Sequence, residues 1–124
     1  MLVRELYAGP AARLAVYVDD IGRCPTIDFI DELPESEKKK LIRLFQRTCE
    51  IGIPNNREKF RKEKGEIYAF KSFQVRVLCF YLPGQSRRTL VLTHALKKKA
   101  DELKASELDR AAEIRKKVLT AKEE

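Results

Sequence analysis

The chain is poor in the residues that build metal and redox centres. It has one histidine and three cysteines in 124 residues, and Cys24, Cys49 and Cys79 form no Cys-x-x-Cys pair. So few ligands cannot make a zinc site, and an odd number of scattered thiols fits reduced, buried cysteines better than a disulfide framework. No metal and no cofactor are expected. No apolar run approaches the roughly 20 residues of a membrane span. The first residues, Met1-Leu2-Val3-Arg4-Glu5, lack the long apolar core of a signal peptide, so a cytoplasmic protein with no membrane contact is expected. A glycine-rich phosphate loop, a nucleophile elbow and acid pairs at a recognisable spacing are missing as well. There are no internal repeats and no low-complexity linker, which with the length predicts a single domain over 1–124.

What the chain does have is positive charge. Lys and Arg outnumber Asp and Glu by 26 to 19, and 44% of residues are apolar, enough for a packed core. The excess of +7 favours a polyanionic partner, with nucleic acid the first candidate and an acidic protein the second.

The periodicity predicts an α+β domain in the order β-α-α-β-β-β-α. A first strand over 13–18 alternates Leu14, Val16 and Val18 against Arg13, Ala15 and Tyr17. Ile27, Phe29, Ile30 and Leu33 indicate a short helix stopped by Pro34, and Leu41, Leu44, Phe45 and Thr48 mark a longer one over 35–51. These two make a helical hairpin. The polar stretch Asn55 to Gly65 reads as a loop. Strands near 66–71, 74–81 and 88–93, joined by short breaks, form an antiparallel meander. A final helix over 106–119 carries the stripe Leu108, Ala111, Ile114 and Val118, with Ser106 as its cap. The acids from Asp101 to Glu113 read as a solvated face.

Three residues carry a possible chemistry. His94 ends the last predicted strand, and its imidazole titrates near neutral pH, as a general acid or base must. Arg76 shares a strand face with Leu78 and Phe80, where a guanidinium is costly unless it is paired or opens on a cleft, and its planar fork suits phosphate. Lys71 ends the preceding strand, one hairpin turn from Arg76. Together they supply proton transfer and cations for a metal-free RNA cleavage, in which the ribose 2′-hydroxyl attacks the adjacent phosphate. Lys97, Lys98, Lys99, Arg87 and Arg88 are candidates for phosphate contact. Tyr68, Tyr81, Phe70 and Phe73 lie near these cations, mostly as core, with one free to stack on a base. The bland alternatives stay open: a structural histidine, an arginine in a buried ion pair, and lysines on a solvated face.

The stretches Ile67-Tyr-Ala-Phe-Lys71, Val75-Arg76-Val-Leu-Cys-Phe-Tyr81, Leu90-Val-Leu-Thr-His94, Lys97-Lys98 and Ser106 to Ala111 with Arg115 resemble the RelE/ParE toxin superfamily, nearest its phage-derived, HigB-like branch. That resemblance implies a toxin of a type II toxin–antitoxin pair, an mRNA interferase cutting messenger RNA on the ribosome without metal. It implies an antitoxin with a helix-turn-helix as partner, and operator DNA bound through the complex. By position Arg76 corresponds to the arginine on the scissile phosphate, Lys71 to the cation ending the preceding strand, and His94 with Lys97-Lys98 to a histidine–lysine run. The chain departs from the pattern where Ala95 and Leu96 replace glycine and phenylalanine, where Ala105 replaces a proline, and where the C-terminal tyrosine of some RelE members has no counterpart. Two other readings compete: a ParE-like toxin acting on a protein such as gyrase, and an inactive phage-derived nucleic-acid-binding module.

Overall fold

Alternation along the strands gives a sheet with two apolar faces, and helices cover both. The computed structural model describes residues 2–99 and 103–123. Their elements are β1 (Val3–Ala8), β2 (Arg13–Tyr17), α1 (Pro25–Asp31), α2 (Glu35–Ile51), β3 (Phe60–Lys64), β4 (Ile67–Ser72), β5 (Val75–Tyr81), β6 (Thr89–Lys97) and α3 (Ala105–Glu123). The strands form one sheet in the order β1-β2-β6-β5-β4-β3. On one side Leu14, Val16, Phe70, Val77, Cys79, Leu90 and Leu92 meet Leu41, Leu44, Phe45 and Cys49 of α2 and Ile30 of α1. On the other, Ile67, Ala69, Leu78, Phe80 and Val91 meet Ala111, Ile114 and Val118 of α3. The three cysteines are free and buried. No helix among the described residues is long and apolar enough to cross a membrane.

The α+β class, the short helix followed by a longer one over 35–51, and the β4-β5-β6 meander are those expected. The differences lie at the sheet edges and ends. β1 was not anticipated, and it pairs antiparallel with β2 through a bulge between Glu5 and Tyr7. β2 lies parallel to β6, so the sheet is mixed. The segment expected to be a loop contains β3: Phe60 is buried and its ring stacks on Tyr68, while Arg61, Lys62 and Lys64 occupy an outer edge where charge is tolerated. β6 runs on to Lys97 because Val75, Arg76 and Val77 pair with Lys97, Leu96 and Ala95. α3 starts at Ala105, so Ser106 is inside the first turn rather than its cap, and Lys104 O accepts from the Glu107 and Leu108 amides. Asp101, in the helix expected to be solvated, lies outside the described residues.

One glycine is required by close approach. The Ala11 and Ala12 amides, in the β1–β2 turn, donate to Cys49 O near the end of α2 and so satisfy a helix-terminal carbonyl. A Cβ on Gly9 would stand 2.4 Å from that same oxygen. Gly9→Ala is therefore expected to cost about 1–3 kcal/mol in urea unfolding. An unchanged midpoint would mean that the turn is not seated on the helix.

Candidate functional site: a basic sheet end

Period-two alternation alone would place His94 with Leu90 and Leu92 on the α1/α2 side. The structure does not do this. Leu78 pairs with His94 while Cys79 pairs with Leu92, so Thr93 is an extra residue in β6. This bulge reverses the facing of every later side chain. Leu96 accordingly joins the α3-side cluster and Ala95 the other. Thr93, fully buried, donates its hydroxyl to Leu78 O at 3.1 Å and so satisfies a carbonyl at the irregularity.

With the bulge in place the three nominated residues fall on one face. Lys71 is directly opposite Arg76, and Arg76 directly opposite Leu96. His94 sits one row further in, diagonal to Arg76, with roughly 7–8 Å between such neighbours. Arg61 and Glu63 of β3 complete the patch as a two-pronged ion pair at 3.1 and 3.3 Å.

Arg76 is buried, with 8% of its surface exposed, and its Nη1 donates to Phe73 O and Val75 O at 2.8 and 2.9 Å. It therefore braces the β4–β5 turn. Burial lowers its pKa, with Glu63 opposing and Arg61 adding to the fall. The Lys71 pKa is lowered too, first by desolvation and then by the charges of Arg61, Arg76 and Lys98. Its ammonium reaches Arg57 O at 3.3 Å. These cations repel one another, which is an arrangement suited to an anion.

His94 is not at a strand end. It lies within β6 at 1% exposure, covered by α3. Its Nε2 is 3.3 Å from Glu107 Oε1 and its Nδ1 3.2 Å from Thr93 Oγ1. Glu107 is thus no solvated acid but the half-buried partner of the histidine. In the neutral ring Nε2–H donates to Glu107, and Nδ1 competes with Leu78 O for the single Thr93 hydroxyl hydrogen. Burial lowers the His94 pKa most, Arg110 lowers it further, and Glu107 opposes both.

The remaining candidates separate. Lys97 turns to the α2 side, 3.9 Å from Glu37 Oε1, whereas Lys98 adds charge beside Lys71. Lys99 stands exposed at the strand exit. Arg87 and Arg88 lie beyond Tyr81, roughly 17 Å along β5 from Arg76, with Arg88 over the Tyr81 ring. They do not extend this patch. Of the aromatics, Phe70 is core and Phe73 is the exposed one. A basic groove on α2 went unanticipated: Lys40, Arg43 and Arg47 face Lys59, Lys71 and Phe73 across a cavity of about 450 Å³. The spacing of the three α2 cations at i, i+3 and i+7 was a visible signal for it.

A family model described as phage derived protein Gp49-like (DUF891) matches residues 28–116, well over half of the chain. The chain belongs to the Gp49-like family. That family is associated with toxins of toxin–antitoxin systems. No curated protein matches the sequence. The match takes in Lys71, Arg76, His94 and Glu107 of this Gp49-like protein and leaves out β1 and β2.

As His94 is the sole histidine, its imidazole gives one resolvable NMR titration. In this Gp49-like protein it is expected to titrate below about 6.5, lower still in Glu107→Gln and higher in Arg110→Gln. A folded pKa below the unfolded one means that this contribution to stability is present above about 6.5 and is lost as pH falls through the folded value. A titration above the unfolded value would contradict the balance drawn here. Thr93→Val leaves Leu78 O without its donor and is expected to lower the unfolding free energy by about 1–3 kcal/mol. A neutral effect in urea titration would show that the hydroxyl does not hold the bulge.

Proposed function

We propose that this Gp49-like protein is the toxin of a type II toxin–antitoxin pair, of the HigB-like kind, and that it cuts messenger RNA on the ribosome. The observation that carries the reading is the row formed by Lys71 and Arg76, with His94 on its diagonal, on one face of the sheet. Its partners are an antitoxin with a helix-turn-helix, mRNA and ribosomal RNA, and operator DNA through the antitoxin complex. In the reaction the 2′-hydroxyl attacks the neighbouring phosphate and the 5′-oxygen leaves. Lys71 and Arg76 stabilise charge growing on the phosphate, and Arg76 has donors left beyond the nitrogen that braces the turn. Because His94 is buried, the proton from the 2′-hydroxyl is taken up through Glu107, whose carboxylate is 3.3 Å from the imidazole and partly exposed, and a proton is returned by the same pair to the leaving 5′-oxygen. Lys98 and Lys99 hold the strand on either side.

The burial of His94 favours one second reading, a toxin of this fold that acts on a protein target without cutting. The two differ in what arrested cells contain. Expression without an antitoxin is expected to arrest growth and to yield discrete breaks in translated messages by primer extension. Arg76→Ala is expected to lower cleavage about 100-fold or more, with Arg76→Lys as the control that keeps the charge, and circular dichroism to verify folding. Glu107→Gln is expected to slow cleavage while leaving RNA binding intact. Arrest with whole messages and damaged DNA would defeat the nuclease reading.

A further inference from the structure

The groove on the α2 side is separate from the His94–Glu107 pair, which lies under α3. Lys40, Arg43 and Arg47 form one stripe on α2, and Lys59 and Lys71 face them, so among the described residues five cations line the cavity with a single acid, Glu58. A second cavity of about 520 Å³ continues it past Leu44, Arg47 and Lys59 to Ile51 and Ile53. From Lys40 to Arg47 the stripe runs about 10 Å along the helix, and with the second cavity the track to Ile51 is about 16 Å, enough for more than two phosphates of an extended strand.

At the mouth stands Phe73. The residue is 56% exposed, and its backbone has φ 54, in the left-handed region that bulky residues rarely adopt. The turn takes this strained form with Arg76 Nη1 bonded to Phe73 O at 2.8 Å. The ring is therefore held away from the core, in water. Lys40 Nζ is 4.8 Å from the ring centroid. A flat apolar surface among spaced cations is the composition of a single-strand nucleic-acid track, where bases stack and phosphates are paired without regard to sequence. An acidic peptide would use the cations but has no need of the projecting ring.

We infer that this groove binds single-stranded RNA, with a base stacked on Phe73 and the backbone phosphates on Lys40, Arg43, Arg47 and Lys59. The inference rests on the proposed RNA-directed activity, and it adds the path by which the strand reaches Lys71. Lys71 lines the groove and is also the cross-strand neighbour of Arg76, so it joins the two regions.

The test is fluorescence anisotropy of a short labelled single-stranded oligoribonucleotide of mixed sequence, titrated with the full chain over a series of salt concentrations. Four or five phosphate contacts give a log–log salt slope of about −3. Arg43→Gln with Arg47→Gln is expected to weaken binding about tenfold or more and to reduce the slope by about 1.4. Phe73→Gly relaxes the backbone, so the melting temperature should hold or rise, while binding weakens about fivefold or more at an unchanged slope. Wild-type affinity in these variants would overturn the proposal. So would groove-dependent binding of an acidic helical peptide without any of RNA. Cleavage is scored separately: RNA bound through the groove but never cut defeats the nuclease reading alone, and cleavage with binding indifferent to the groove variants defeats the groove alone.

Discussion

The basic sheet end depends on one irregularity, the extra residue at Thr93. Up to Leu92 the even-numbered residues of β6 face α1 and α2, and after it they face α3. Remove the bulge and His94 would enter the core built by Phe45, Phe70 and Leu92, which offers an imidazole no carboxylate. Desolvating a ring nitrogen with no partner is costly. The bulge instead places it against Glu107 and on the same face as Arg76. The buried Thr93 hydroxyl makes this possible by supplying the donor that the interrupted ladder denies to Leu78 O. Packing, hydrogen bonding and the position of the one titratable imidazole therefore stand or fall together.

The same end of the sheet concentrates charge of one sign, and the acids are distributed so as to leave an excess. Glu63 is held by Arg61, Glu107 by His94, and Glu37 lies near Lys97. Among the described residues Lys71 and Arg76 have no carboxylate within ion-pair distance, and their side chains bond to backbone carbonyls instead. A carbonyl orients a cation without neutralising it. Burial lowers the Lys71 pKa first and the charges of Arg61, Arg76 and Lys98 lower it further, and that second part is relieved when an anion arrives.

Much of this was legible in the sequence. The apolar stripe of α2 is strong and that of α3 recognisable because each helix packs on one side only. The short break between β4 and β5 puts Lys71 and Arg76 on neighbouring strands one hairpin turn apart, though their exact pairing depends on a turn at Phe73-Gln74. Edge elements were not legible. Phe60 is the one fully apolar residue of β3, and a strand with a single neighbour can otherwise consist of Arg, Lys and Glu, which read as a loop. The reach of β6 was hidden because its last residues are stabilised by pairing with Val75 to Val77, a long-range contact that local hydropathy does not register. A bulge leaves no signature in composition, so the side to which His94 turns could not be read. Phe73 was named among the aromatics near the cations but not set apart from them, although a large aromatic in a tight hairpin position that favours glycine or asparagine invites a reason for being there.

The two cationic regions are joined at a single side chain, which has a consequence for how they act. Lys71 belongs to the row with Arg76 and also borders the α2 groove, and its ammonium bonds to Arg57 O. Under the proposed function, a strand lying along α2 would have to bend around the β4–β5 turn at Phe73 to bring a phosphate to Arg76. Stacking a base on the Phe73 ring is one way to hold that bend, since it interrupts base-to-base stacking where the backbone changes direction. The turn carrying the ring is itself braced by Arg76 Nη1. The residue nominated to stabilise the reacting phosphate thus also sets the position of the surface that would deliver it, and a shift in either one moves the other.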